Sequence, residues 1–447
     1  MDLRGFRQEL DKFDSCRNMG KIEKIIGMTI EASGPSCNIG DVCRIFAKDM
    51  RTHVFAEVVG FNSDKVLLMP YTDIEGIGPG SIVDNTGEQL MVKTSPNLVG
   101  RIIDAIGRPL DGKGEIDYDG IPMPVTGITV NPLTRPKIFE PLEIGVKAID
   151  GLLTLGKGQR IGIFSGSGVG KSTLMGMVAK KVKADLNVIA LVGERGREVR
   201  EFIENDLGEE GMARSVVVVA TGDQPAMLRN KCPLTATAIA EYFMEQGNDV
   251  LLMMDNLTRF AMAQREVGLS IGEPPIARGY TPSIYSALPK LLERAGCFEK
   301  GSITGIYAVL VEGDDTNEPI SDTVRGIIDG HIVLSRKIAA RNHYPAIDVL
   351  GSISRLMALI CPEDHIEAAN RLRDLLSLYD SNYDLIMIGA YKKGTNPKLD
   401  EAISKIDEIN DFLKQKVNES FDLDETVAML KCVVGTDRVG GERRMEL

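Results

Sequence analysis

The chain has 447 residues, of which 43% are hydrophobic and 26% charged, the balance of an ordinary globular protein of two or three domains. Lys+Arg 52 against Asp+Glu 64 leaves a net charge of -12, and there is no tryptophan, so general adhesion to nucleic acid is disfavoured. No apolar run reaches the roughly 18–20 residues of a membrane span, and seven cysteines without a C-x-x-C fit free thiols in a reducing, cytoplasmic setting. Zinc is disfavoured by only four histidines, none at ligand spacing from a cysteine. In chain order, residues 1–20 open with Leu3, Phe6, Leu10 and Phe13 at steps of three and four. That spacing predicts one apolar face of a short helix, which either docks on its own fold or serves a partner. Residues 21–94 are short β-type runs such as KIEKIIGMTIEA, HVFAEVVGF and KVLLMPY, cut by turn residues. They predict a small closed β-barrel.

From 95 to 359 the pattern is apolar strand, glycine turn, helix. RIGIFS, NVIALV, SVVVVAT, DVLLMMD and TGIYAVLV are near-continuous apolar runs, separated by helix-like stretches such as KSTLMGMVAKKV. Strands apolar on both faces predict a parallel sheet covered by helices on each side, an α/β domain. Residues 360–447 are rich in helix formers, as in HIEAANRLRDLLSLY, and predict a small helical domain.

Three motifs in the middle domain carry chemistry. FSGSGVGKST, 164–173, departs from G-x-x-x-x-G-K-[ST] only in having Ser165 at the first place. A strand precedes it and a helix follows. Gly166, Ser167, Gly168, Val169 and Gly170 can turn their amides inward at a helix N-terminus, a ready anion site. Lys171 then reaches the β- and γ-phosphates, Ser172 coordinates magnesium, and Thr173 adds a hydroxyl near the α-phosphate. Serine at 165 is small and sits at the strand end, so it costs little. In VGERGRE, Glu194 follows a strand one helix, one turn and one strand after Lys171. A solvated acid is the plain alternative, but that spacing fits a neighbouring strand and a carboxylate that polarises the attacking water. In DVLLMMDNLTR, Asp255 ends an apolar strand and is placed to hold magnesium through water. The three strand ends converge on one crevice, where open α/β sheets bind ligands. Arg355, after HYPAIDVLGSIS, is alone an ordinary arginine.

GERGREVREF, TATAIAEYF, DNLTRFAMAQREVGLSIGEPP, ARGYTPS, LPKLLERAG, VEGDDTNEPISD, DGHIVLSRK and HYPAID together make the chain similar to the catalytic subunits of rotary-type ATPases. Within them it resembles most the flagellar protein-export ATPases, traditionally labelled flagellum-specific ATP synthase, with the virulence type III secretion ATPases as the sister branch. The resemblance covers nearly the whole chain and is tightest over 160–357. It implies a RecA-like P-loop motor domain over 95–359, a phosphate loop at 166–173, often headed by a small non-glycine residue, and a catalytic Glu194 with Arg195 beside it. It implies Asp255 as the Walker B aspartate, and Tyr344 packed on adenine. Arg355 would be an arginine finger reaching the neighbouring subunit's site. The tail offers Phe412 and Phe421 as a second wall for adenine, and the resemblance assigns neither.

ATP as substrate, Mg2+ as cofactor and a homohexamer with sites between subunits follow, since one chain carries both Glu194 and Arg355. So do a regulatory, stator-like partner at the N-terminal helix, an export gate and chaperone–substrate complexes as partners, and a cytoplasmic, peripheral place at the inner face of the membrane at the flagellar base. GAYKKGTNPKLDEAI lacks the acidic run by which the ATP synthase subunit meets its shaft, which favours the export branch. Two other readings compete. A non-catalytic nucleotide-binding subunit is opposed by Lys171, Glu194 and Asp255 together. A hexameric RNA translocase would need a basic, aromatic barrel, which 21–94 is not.

Overall fold

A computed structural model describes residues 19–127, 131–311 and 318–436. The helix expected over 1–20 falls outside these residues, apart from its last two positions, as do 312–317 of the VEGDDTNEPISD run.

Six strands come first: β1 Gly20–Ile26, β2 Thr29–Ser33, β3 Asp41–Phe46, β4 His53–Asn62, β5 Lys65–Pro70 and β6 Ile82–Gln89. They close into a barrel in the order β1-β2-β5-β4-β3-β6. Gly27 takes φ 56° in the two-residue β1–β2 turn, a conformation that favours glycine. Alternate residues (Ile22, Ile30, Ala32, Cys43, Ile45, Val58, Leu68, Val83) point inward and fill the lumen, as a barrel this small requires.

The middle domain supplies β7 Ile102–Asp104, α1 Lys147–Leu152, β8 Arg160–Ser165, α2 Lys171–Lys181, β9 Leu186–Val192, β10 Ser215–Ala220, α3 Ala226–Glu245, β11 Asp249–Asp255, α4 Leu257–Ser270, α5 Pro282–Leu292, β12 Ser302–Leu310, β13 Gly330–Leu334 and β14 Ile347–Ser354. The sheet order is β14-β13-β8-β12-β11-β9-β10-β7, with a short strand Gly296–Cys297 paired on β12. All neighbours on this path are parallel except β14, which runs antiparallel to β13. Because side chains alternate, Val188, Ala190 and Val192 join the core under α3, α4 and α5, while Ile189 and Leu191 join the core under α2. Both faces are buried, which is why these strands are apolar throughout.

One stretch departs from the regular alternation expected over 95–359. Among the described residues between Asp104 and Lys147 the chain forms only two-residue strands and a 3-10 turn. Pro109, Pro122, Pro124, Pro132, Pro136 and Pro141 remove backbone donors there.

The tail forms α6 Glu363–Ser381, α7 Pro397–Leu413 and α8 Leu423–Val434, with a short helix Tyr383–Met387 between the first two. Leu372, Phe412 and Leu430 are buried in the same cluster as Ile161 and Leu191 of the sheet. The helical tail therefore has no separate core; it completes one face of the motor.

Candidate active site

Ser165 is the last residue of β8 and only 1% exposed. The chain then turns through Gly168 at φ 75° and Gly170 at φ 89° before α2 starts at Lys171. Both values lie in the left-handed region, where glycine is free of the Cβ penalty. No side chain caps α2, so its N-terminal end is presented to the crevice. Gly166, Ser167, Gly168, Gly170, Lys171, Ser172 and Thr173 line a cavity of about 400 Å3. Ser165 is not on that wall, and its buried Oγ finds no hydrogen-bond partner among the described residues. Val169 is 2% exposed and its side chain belongs to the core, leaving only its backbone for a ligand.

The expected acids arrive from β9 and β11, which are adjacent to each other, but β9 is not the neighbour of β8 that the spacing suggested: β12 and β11 lie between them in the sheet. Leu191 of β9 lies opposite Asp255 of β11, so Glu194 and Asp255 reach the same wall. Lys171 Nζ is ion-paired with Asp255 Oδ1 and lies 3.9 Å from Glu194 Oε1. Asn256 Nδ2 donates to Glu194 Oε1 at 2.6 Å, and Asn256 Oδ1 caps α4 by accepting from the Arg259 N–H at 2.9 Å. One buried amide thus fixes both the carboxylate and the helix start. The turn ahead of Glu194 is tight: a Cβ on Gly193, at φ 69°, would sit 2.9 Å from Arg259 Cβ. Burial pushes the Glu194 carboxyl up to about 7, helped by the charge of Asp255 and opposed by Lys171. A carboxyl so raised in a cleft beside a lysine makes Glu194 a candidate functional residue.

Arg195 lines the cavity with its side chain 85% exposed, 3.7 Å from Glu198. A second cavity of about 660 Å3 shares Gly170 and Thr173 with the first. Tyr344 stands in it, 44% exposed, with its ring 3.6 Å from where a Gly170 Cβ would be. The facing wall is the strap Lys414–Val417 with Glu419, between α7 and α8. Neither Phe412 nor Phe421 lines it. Both rings instead flank the buried Lys147 ammonium, at 5.7 and 4.8 Å.

Arg355 is the one predicted site residue that does not join the others. Ser165 lies opposite Leu334 in β13, whereas Ser354 lies opposite Gly330 at that strand's other end. Four residues of strand set the two roughly 13 Å apart along the sheet. Arg355 is exposed there, away from its own chain's phosphate loop. Asn256, Arg259, Phe202 and the strap are among the cavity-lining residues that sequence reading missed. Only Asn256 left a signal, directly after Asp255 and three before Arg259, the spacing of a helix cap.

A glycine loop, its lysine and two strand-tip acids on a parallel sheet define a P-loop nucleotide hydrolase. Three family models match the chain: the ATP synthase alpha/beta family nucleotide-binding domain over 145–354, that family's beta-barrel domain over 22–87, and the T3SS EscN ATPase C-terminal domain over 361–432. The flagellum-specific ATP synthase of Bacillus subtilis (strain 168) is 56% identical over 430 residues, 96% of this chain and 98% of that one. The assembled ATPase EscN of the enteropathogenic E. coli type III secretion system superposes with a TM-score of 0.88 at 44% identity, covering 93% of this chain and all of that one. EscN in complex with its central stalk EscO gives 0.86 at the same identity and coverage. The chain belongs to the ATP synthase alpha/beta family, in the branch of the flagellar and type III secretion ATPases, and is an ATPase.

Proposed function

We propose that this chain hydrolyses ATP as a homohexamer that energises flagellar type III protein export, releasing substrates from chaperones and unfolding them. The observation that carries the reading is the geometry of one chain: Lys171, Glu194 and Asp255 share a cavity, while Arg355 faces outward far from it. A subunit so built holds most of one site and one missing part of the next. The assembled state of EscN supports this, and its EscO complex points to a central stalk as one partner.

The residues divide the work as follows. The amides of 166–170 and the start of α2 bind the phosphates, and Lys171 leaves Asp255 to neutralise the β- and γ-oxygens. Glu194, held by Asn256, orients the attacking water and takes its proton as the terminal P–O bond breaks. Arg195 stands at the cavity mouth beside it. Arg355 of an adjacent subunit offsets the charge on the transferring group, a contribution of about 10³–10⁵ in rate where such fingers are known. The base lies in the second cavity, between Tyr344 and the 414–419 strap.

Lys171, Arg195 and Arg259 stand against Glu194, Glu198 and Asp255 around this cavity, so its lining brings no surplus of positive charge to the phosphates. The oxygens of Ser172 and Asp255 suit magnesium, Asp255 acting through water. Among the described residues no group of three or more His, Cys, Asp or Glu side chains could cage a metal. That fits an ion whose other ligands are nucleotide oxygens and water. When bound, magnesium supplies electrostatic stabilisation of the phosphate oxygens.

Among the described residues no helix is long and apolar enough to cross a membrane. Contact with the inner face of the membrane at the flagellar base is then peripheral, through an export gate, with a regulatory stator-like protein on the N-terminal helix. The 56% identity to the Bacillus flagellar protein favours export in the flagellum over virulence secretion.

The test is steady-state hydrolysis by the purified chain. Glu194→Gln should lower turnover at least about 100-fold while nucleotide still binds. Arg355→Ala should also suppress turnover, and mixing it with Glu194→Gln should restore some, because hybrid interfaces pair an intact Glu194 with an intact Arg355. Normal hydrolysis by Glu194→Gln would overturn the mechanism.

A further inference from the structure

Arg355 is held from behind by a buried network that the chemistry above does not use. Its backbone N–H donates to the Asp329 carbonyl at 3.0 Å, and Nη2 reaches the Arg325 carbonyl at 3.3 Å. Gln159, fully buried, lies just ahead of β8, the strand that ends at the phosphate loop. Its Nε2 donates to the same Asp329 carbonyl at 3.3 Å and to Ser354 Oγ at 3.1 Å. Its Oε1 accepts from the Gly156 N–H at 2.8 Å, which fixes the amide's orientation. Ser354 Oγ in turn donates to the Thr154 carbonyl at 2.9 Å.

Arg160, the first residue of β8, forks onto the Asp329 carboxylate through Nε at 3.1 Å and Nη2 at 3.2 Å. Its backbone N–H donates to that carboxylate at 3.0 Å, and its Nη1 lies 2.5 Å from Glu293 Oε1. The Arg160 and Asp329 side chains are 16% and 25% exposed, so the fork is largely shielded from competing water.

We propose that Gln159 and Arg160 are positioning residues for Arg355. The strand that carries a subunit's phosphate loop at one end then aims, from its other end, the arginine offered to the neighbour. β8 is paired on both sides, to β12 and β13, so its two ends move as one body. The inference rests on the reading of Arg355 as acting in the adjacent site. A wandering guanidinium would lose orientation without changing how a subunit binds its own nucleotide.

The experiment uses the full chain with Gln159→Met, which keeps volume but removes the amide, and Arg160→Lys, which keeps charge but loses the fork. Each should lower kcat about 10–100-fold, the scale of a misplaced group, with the KM for ATP and the binding of a fluorescent ATP analogue unchanged. Adding Arg355→Ala to Gln159→Met should cost nothing further than Arg355→Ala alone, because both act through one group. Mixing Gln159→Met subunits with Glu194→Gln subunits, whose Arg355 is intact, should restore turnover above the sum of the two alone. Wild-type kcat in both variants overturns the inference. So does failure of that mixture where the Arg355→Ala mixture succeeds, since the defect then lies in the variant's own site. If the Arg355→Ala mixture also fails, the reading of Arg355 itself falls, and this inference with it.

Discussion

Glu194 is a site residue whose protonation its surroundings shift. Burial and the Asp255 charge raise it to about 7, so near neutrality the free protein holds a mixture of protonated and ionised forms. Only the ionised form can take a proton from water. The kcat/KM for ATP should therefore rise with pH through a midpoint near 7, whereas kcat should keep its plateau to lower pH, because bound magnesium adds positive charge beside the carboxylate. A kcat/KM profile flat from about pH 5.5 to 8 would contradict this assignment. Gly170 offers a second test at this scale. At φ 89° it lies in a region costing other residues about 1–2 kcal/mol, and its missing Cβ faces the Tyr344 ring at 3.6 Å. Gly170→Ala should weaken ATP binding roughly tenfold, measurable by titration with a fluorescent analogue.

The strap between α7 and α8 shows how an irregular element becomes a wall. Gln415, 5% exposed, holds it: Oε1 accepts from the Lys147 N–H at 2.8 Å, and Nε2 donates to the Gly145 and Glu419 carbonyls, each at 2.9 Å. Its backbone N–H donates to the Tyr344 carbonyl at 3.0 Å, tying the strap to the residue across the cavity. Lys181 adds a bond to the Glu419 carbonyl. Gln415→Ala leaves buried backbone groups unpaired, at about 1–3 kcal/mol. It should raise the KM for ATP about tenfold with a smaller change in kcat, since the phosphate cavity is untouched. An unchanged KM would place the base elsewhere. Lys147, packed between Phe412 and Phe421, anchors the same strap, and the two rings of the tail face it and not the cavity.

At the scale of the molecule, the barrel, motor and tail are joined by buried polar contacts as well as by apolar area. Lys231 of α3 pairs with Glu57 of the barrel at 2.7 Å, and Tyr71 donates to the same carboxylate at 2.6 Å. The side chains of this pair are 8% and 12% exposed, so removing one partner strands the other. Lys231→Met should destabilise the chain by about 3–5 kcal/mol, and Lys231→Met combined with Glu57→Gln by less, as read from denaturant midpoints. If Arg355 acts in the adjacent site as proposed, activity is a property of the assembly. The specific rate of hydrolysis should rise cooperatively with protein concentration, and a rate independent of dilution would show that one chain makes a complete site.

The sequence by itself determined the local chemistry. The glycine spacing, the apolar strands and the acids at their ends are short-range patterns, and strand alternation leaves few ways to arrange them. Hence Lys171, Ser172, Glu194 and Asp255 were legible as one crevice. The tertiary structure alone decided what depends on distant chain segments meeting. Asn256 bonding Glu194, the 414–419 strap facing Tyr344, and Phe412 and Phe421 turning to Lys147 each join residues tens to hundreds of positions apart, or place them by packing that no periodicity encodes. The direction of Arg355 is the clearest case. Its motif names an arginine, but only the antiparallel return of β14 carries it to the opposite end of the strands, away from its own phosphate loop.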